Sequence, residues 1–331
     1  MAINKAMRAA LKTIAYINLN ADIKKTYKVE RQFENLSAKL RPAPPEFSIW
    51  DHSVMNGDHE VPVRVFLPQK GMPKGNSPGN SPRLILFFHG GGWVLGNIDT
   101  YTRMCADLAK AVSTIVVSVD YRLAPEYKFP AAPEDCYAAA REFFLGKGLL
   151  NVDPKNITIM GDSAGGNLAA AVSLMARDRG EFLSPRQILL YPATASDHSE
   201  NSPFESIRTN GTDYLLTSKR VQDMIELYKG SEADAQNPYF APLEAKDLSG
   251  QGRTLIITAE YCPLRDEGEF YGKRLKEAGN EVQVYRMKDA FHAYMMLSPR
   301  FVHVKRTYEL INNFLAAANT TGAAIDTTGA E

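Results

Sequence analysis

A serine set between glycines at the end of an apolar run is a candidate nucleophile. In Gly161-Asp162-Ser163-Ala164-Gly165-Gly166 the serine follows the strand-like Ile157-Thr158-Ile159-Met160, so it falls where a strand must turn sharply into a helix. The G-x-S-x-G spacing relieves the crowding of such a turn and leaves the serine oxygen exposed above a sheet. Taken alone the pattern is weak, because a plain Gly/Ser turn is common in a chain with 23 glycines. A second element reverses the odds: Leu84-Ile85-Leu86-Phe87-Phe88 runs into His89-Gly90-Gly91-Gly92-Trp93, a glycine turn at the end of another strand.

A serine nucleophile needs a base within hydrogen-bond reach, a group that orients the base, and donors aimed at the developing oxyanion. Ser163 supplies the oxygen and the N–H of Ala164 one donor. Further donors are expected from backbone N–H groups of the glycine turn, where the backbone can approach a substrate. The histidine of such an arrangement comes last in the chain, after the final strand. His292, in Phe291-His292-Ala293 after Val282-Gln283-Val284-Tyr285-Arg286, fits that position. His52 and His59 precede the elbow, His89 belongs to the glycine turn, His198 opens an insertion and His303 falls in a last helix, and each reads more simply as structural.

The elements that must position these groups are legible as apolar runs. Strands are expected near 47–54, 60–67, 84–88, 114–119, 156–160, 187–191, 254–259 and 281–287, with a helix-length segment between each pair from the third onward. That alternation predicts an α/β fold, a mostly parallel eight-stranded sheet with helices on both faces. Asn56-Gly57-Asp58 marks an antiparallel hairpin at its start. The expected organisation is residues 1–45 and 196–235 as a helical cap, 46–195 and 236–315 as the two parts of the core, and 316–331 as a disordered tail. The Gly/Pro-rich stretch 71–82 reads as an exposed loop. Ligands of open α/β sheets bind beyond the carboxyl ends of the strands, where the cap would sit. Phe204, Tyr214 and Tyr228 of the insertion are candidate pocket residues, although aromatics at helical spacing more often serve packing.

Jointly and in this order, His89-Gly90-Gly91-Gly92-Trp93, Asp120-Tyr121-Arg122-Leu123-Ala124-Pro125-Glu126, Gly161-Asp162-Ser163-Ala164-Gly165-Gly166-Asn167, Tyr214-Leu215-Leu216-Thr217, the stretch from Thr258 to Gly268 and Phe291-His292 resemble the hormone-sensitive-lipase family of α/β-hydrolase esterases over nearly the whole chain. The resemblance implies Ser163 as nucleophile, His292 as base, and Gly91, Gly92 and Ala164 as the oxyanion hole. It implies a short- to medium-chain acyl ester as substrate and no cofactor. It gives Asp120 and Glu126 a structural part only. Dimers are common among similar proteins, which leaves a homodimer open, but no interface is legible here.

One position departs from the family. The aspartate expected to orient the histidine is Cys262 in Cys262-Pro263-Leu264-Arg265-Asp266-Glu267. Loss of that carboxylate can cost about 10⁴ in turnover. Glu260, Asp266 and Glu267 lie near enough in sequence to be considered as substitutes, and Asp197, after the strand ending at Tyr191-Pro192, is a further candidate because an acid can reach the histidine from the neighbouring strand. A ligand-binding protein of receptor type, or an acyltransferase sharing the acyl-enzyme, are the competing readings.

Bulk composition excludes other classes. Lys+Arg and Asp+Glu balance at 38 each with no basic cluster, which gives no electrostatic footprint for nucleic acid. The N-terminus lacks an apolar signal core, no run approaches the length of a membrane helix, and a cytoplasmic location is expected. Residues 1–30 carry lysines and aliphatics at helical spacing, as an amphipathic surface helix does. Cys105, Cys136 and Cys262 form no C-x-x-C pair, so neither a disulfide framework nor a metal site is indicated.

Overall fold

A computed structural model describes residues 5–317 except 41, 43–46, 69–81, 147–149 and 151. Eight strands form one sheet: β1 (Ser48–Asn56), β2 (His59–Leu67), β3 (Leu84–Phe88), β4 (Ile115–Val119), β5 (Ile157–Asp162), β6 (Arg186–Leu190), β7 (Arg253–Tyr261) and β8 (Val282–Phe291). Their order is β1-β2-β4-β3-β5-β6-β7-β8. β2 is antiparallel to both β1 and β4, and every later pairing is parallel. The turn at Asn56-Gly57-Asp58 is the hairpin expected, with Asn56 opposite His59 and Gly57 at φ +63°. Strands β3 to β6 are buried at every position, as strands covered on both faces must be.

The helices are α1 (Lys5–Asn20), α2 (Ile23–Lys39), α3 (Ile98–Val112), α4 (Ala131–Phe144), α5 (Ala164–Arg179), α6 (Glu205–Thr209), α7 (Ser218–Tyr228), α8 (Arg265–Glu277) and α9 (Val302–Ala316). Helix α3 packs on α9, and α4 on α5. Helix α5 is buried from Ala164 to Ala176, and its small residues allow this: the run Ala-Gly-Gly-Asn-Leu-Ala-Ala-Ala lets the helix backbone lie close against the sheet. Cys105 and Cys136 are buried in α3 and α4. None of the described helices is long and apolar enough to cross a membrane. The stretch 71–81 and residues 318–331, expected as loop and tail, lie outside the described residues, while α9 continues through Ala316.

Helices α1 and α2 meet α7 through ion pairs: Lys12 with Asp213 just before α7, Lys24 with Asp223, and Glu30 with Arg220. Helix α2 also grips the segment after β3. Arg31 donates from Nε to the Val94 carbonyl (2.7 Å), from Nη2 to the Ala124 carbonyl (2.7 Å), and to both oxygens of Glu126. Glu34 accepts from the Gly96 N–H (3.2 Å), and Asn35 accepts from the Asn97 side chain (2.6 Å). The Asp120–Glu126 stretch is therefore a brace: Asp120 accepts from the Ile98 N–H, Tyr121 donates to the His89 carbonyl, and Glu126 holds Arg31. Replacing Arg31 with alanine removes these ties together. The expected outcome is a loss of about 1–2 kcal/mol in chemical denaturation, with faster proteolysis of α1 and α2 than of the sheet.

Candidate active site

Ser163 follows β5 directly and caps α5 with φ 55° and ψ −120°, a conformation sparsely populated by residues with a side chain. The turn is tight enough that only glycine fits beside it. A Cβ on Gly161 would lie 2.1 Å from the Gly165 carbonyl oxygen, and one on Gly165 would lie 2.0 Å from the Phe88 carbonyl oxygen. Two glycines in G-x-S-x-G thus allow two backbone segments to touch, and the contact with Phe88 sets the end of β3 beside the serine.

The glycine turn is held at that place by Asp162. Its Oδ1 accepts the Gly90 N–H (2.8 Å) and its Oδ2 faces the Tyr101 and Tyr191 hydroxyls at 3.1 and 3.4 Å. His89 is buried, stacked on Tyr121 (centroids 4.2 Å, planes 14°), and burial pushes its pKa down to about 4. Trp93 stacks on Tyr228 (4.6 Å, 2°), which stacks in turn on Phe240. Gly91 sits at φ +118° and Gly92 at φ +62°; a Cβ on Gly92 would meet Met224 Sδ at 2.0 Å. Gly91, Gly92, Ser163, Ala164 and His292 line one cavity of about 830 Å³. Ala164 is the first residue of α5, so its N–H belongs to the unpaired donors of a helix start.

His292 reaches the serine because of a bulge at the sheet edge. Thr254 faces Val282, but Tyr261 faces Phe291, so β8 gains two residues on β7 before both strands end. The next residues, Cys262 and His292, then stand side by side: Cys262 Sγ is 3.1 Å from His292 Nδ1, and His292 Nε2 is 2.9 Å from Ser163 Oγ. Glu260 holds the bulge, its Oε2 accepting the N–H of Asp289, which sits at φ 58° (2.7 Å).

Electrostatics at this triad are those of a dry site. Burial alone pushes the His292 pKa down to about 3, and burial pushes the Cys262 thiol far up, against the smaller opposing effect of the Leu264 N–H on its sulfur. The contact is therefore one between a neutral imidazole and a neutral thiol. A carboxylate only accepts, and so fixes a proton on Nδ1; a thiol both donates and accepts, and leaves the tautomer open. Only when Sγ accepts from Nδ1 is Nε2 free to take a proton from Ser163.

The other carboxylates considered as substitutes are engaged elsewhere. Asp197 is exposed and accepts the Ser199 N–H (2.8 Å). Asp266 accepts the Ser206 N–H and pairs with Arg265, each at 2.7 Å. Glu260 serves the bulge. Glu267 is buried, accepting the Thr194 N–H (2.6 Å) with His198 Nε2 at 2.6 Å from its second oxygen. The aromatic pocket candidates also lie off the cavity: Phe204 packs on Phe270, Tyr214 stacks on Tyr261, and Tyr228 is buried behind Trp93. Leu215, Leu216, Val221, Met224 and Met295 line it instead. The neighbour of Tyr214 in a sequence motif thus does what Tyr214 was expected to do. Asp162 went unnoticed because its partners, Gly90, Tyr101 and Tyr191, are brought to it only by the sheet.

Burial lifts the Asp162 pKa to about 7, the Gly90 N–H and the tyrosine hydroxyls offsetting it in part. The folded protein then keeps a proton that an unfolded aspartate releases near 3.9. The stabilising contribution of this group is complete below pH ~4 and is lost as pH rises to about 7. Against an Asp162→Asn variant, the unfolding free energy of the unmodified chain should fall by a few kcal/mol between pH 4 and 7 and run level above; a constant difference would refute this.

A model of the abhydrolase 3 family, described by its α/β-hydrolase fold, matches residues 85–296. An arylesterase of Saccharolobus solfataricus is 37% identical over 273 residues, which are 82% of this chain and 85% of that protein. An ethyl acetate hydrolase of Pseudomonas putida is 32% identical over 296 residues, 88% of this chain and 89% of the other. Among solved structures, a hyperthermophilic esterase from the archaeon Pyrobaculum calidifontis superposes with a TM-score of 0.82 at 33% identity, covering 95% of this chain and 98% of that one. The match extends over more than half of the residues and includes the serine elbow and the histidine, and the chain belongs to this hormone-sensitive-lipase-like family of the α/β-hydrolase fold.

Proposed function

We propose that the protein is a serine carboxylesterase acting on short- to medium-chain acyl esters, with Ser163 as nucleophile, His292 as base and Cys262 as a weak orienting partner. The observation that carries this reading is the unbroken contact from Cys262 Sγ through both ring nitrogens of His292 to Ser163 Oγ, at 3.1 and 2.9 Å. Ser163 Oγ attacks the ester carbonyl carbon while His292 Nε2 takes its proton. The N–H groups of Gly91, Gly92 and Ala164 receive the oxyanion. The imidazolium returns the proton to the leaving alcohol, and water, deprotonated by the same nitrogen, releases the acid from the acyl-enzyme. Helices α1, α2, α6 and α7 act as the cap, whose Leu215, Leu216, Val221 and Met224 set the apolar character of the cavity.

Cys262 makes this a slow enzyme, because the imidazolium formed during attack has no anion beside it. Hydrolysis of p-nitrophenyl acetate and butyrate should be slow and lost in Ser163→Ala, and Cys262→Asp should raise kcat by roughly 10²- to 10⁴-fold. Retention of full turnover by Ser163→Ala would overturn the proposal.

A pH profile gives a second check. The base works unprotonated, so a His292 pKa near 3 leaves kcat/KM flat down to the onset of acid unfolding. A carboxylate at position 262 stabilises the imidazolium and raises that pKa, so Cys262→Asp should gain an acid limb nearer the ordinary histidine value of about 6.5. A Cys262→Asp profile as flat as that of the unmodified chain would count against Cys262 as the residue that orients His292.

A further inference from the structure

Among the polar side chains that line the cavity, Arg220 presents a buried nitrogen that hydrolysis does not use. Arg220 stands on α7, one helical turn, roughly 6 Å, before Met224, whose sulfur lies against Gly92 of the glycine turn. The residue is 8% exposed and lines the cavity together with Ser163 and His292. Its Nη2 donates to Glu30, the tie between α2 and α7. Its Nη1 is buried and has no hydrogen-bond partner among the described residues. Buried donors of a guanidinium are rarely left unpaired, because the lost hydration is recovered only by an acceptor.

The charges around Arg220 decide which acceptor fits. Glu30 already balances the guanidinium, and Glu34 lines the same cavity within electrostatic range of it. Burial raises the Glu34 pKa, opposed by the Gly96 N–H it accepts and by Arg220. A carboxylate arriving at Nη1 would meet the Glu30 carboxylate that already pairs with this guanidinium, with Glu34 beside it, while Arg31 is taken by Glu126. A neutral oxygen accepts from Nη1 without that repulsion.

We propose that Arg220 Nη1 binds a neutral oxygen of the substrate, a ketone, ether, hydroxyl or second ester carbonyl carried along the chain that lies in the cavity. The preferred esters then carry an oxygenated chain in place of a plain hydrocarbon one. The inference rests on the esterase reading and names the substrate class of that site.

The test compares kcat/KM within pairs matched in shape, one for each side of the ester: p-nitrophenyl 6-methylheptanoate against the 6-oxoheptanoate, and hexyl butyrate against 3-ethoxypropyl butyrate. The unmodified chain should favour the oxygenated member of one pair by about tenfold or more, mainly through KM. Arg220→Met should reduce that preference to within about twofold. Arg220→Lys, which keeps a cation for Glu30 but not the second nitrogen, should lose it too. Glu30→Gln, which breaks the tie and leaves the guanidinium, should keep it. Absence of any preference, or a preference that survives in both Arg220 variants, overturns the proposal. Preference for the mono-p-nitrophenyl ester of heptanedioic acid over both uncharged chains overturns its neutral character. Failure of both the unmodified chain and Cys262→Asp to turn over any of these esters falls on the esterase reading itself, whereas turnover of both members of each pair at equal kcat/KM falls on Arg220 alone.

Discussion

Contact between two backbone segments at the serine elbow is the constraint on which the rest of the site depends. The Gly165 backbone lies so near the Phe88 carbonyl that no side chain fits between them, and Ser163 is forced into its φ of 55°. That approach places the start of α5 and the end of β3 in one corner, which makes the Ala164 N–H and the glycine turn neighbours. Asp162 then fixes the turn from beneath by accepting the Gly90 N–H. Its carboxyl is buried at a cost in solvation that three donors only partly offset, so the corner is held by an expensive group rather than by apolar packing alone.

Residues that depend on local pattern were readable in the sequence. The expected strands end within two residues of the observed ones except at β8, which runs four residues further to Phe291, and Ser163, Ala164, Gly91, Gly92 and His292 meet at one cavity. Residues that depend on register were not. Glu260 looks like a spare carboxylate near the histidine, but a two-residue gain of β8 on β7 turns it toward the Asp289 N–H, and nothing in either segment alone announces that bulge. Tyr228 fails as a pocket residue for a similar reason. A helix shows which of its side chains are apolar, not which of two apolar neighbours faces a cavity, and Trp93 from a distant segment covers it.

Cys262 lets two contributions to the proposed mechanism be told apart. The thiol receives the Leu264 N–H on its sulfur and touches His292 Nδ1, while His292 Nε2 lies against Ser163 Oγ. What changes is the field. On that proposal, a neutral partner leaves the imidazole neutral in its dry pocket and offers nothing to the cation that would form during attack. Position is preserved and polarisation is lost, a separation that follows from the sheet register fixing the one and ionisation fixing the other.

The span of chain between the partners has a consequence for how the protein is made. Ser163 Oγ waits for a histidine 129 positions later, delivered by the last strand, and Arg31 waits for acceptors at Val94, Ala124 and Glu126. A chain that extends only through α5 therefore has the elbow without His292, and Arg31 has its full set of acceptors only once the segment after β4 is present. On the proposed mechanism, a chain that stops short of β8 has no base beside its serine and would be inert toward esters.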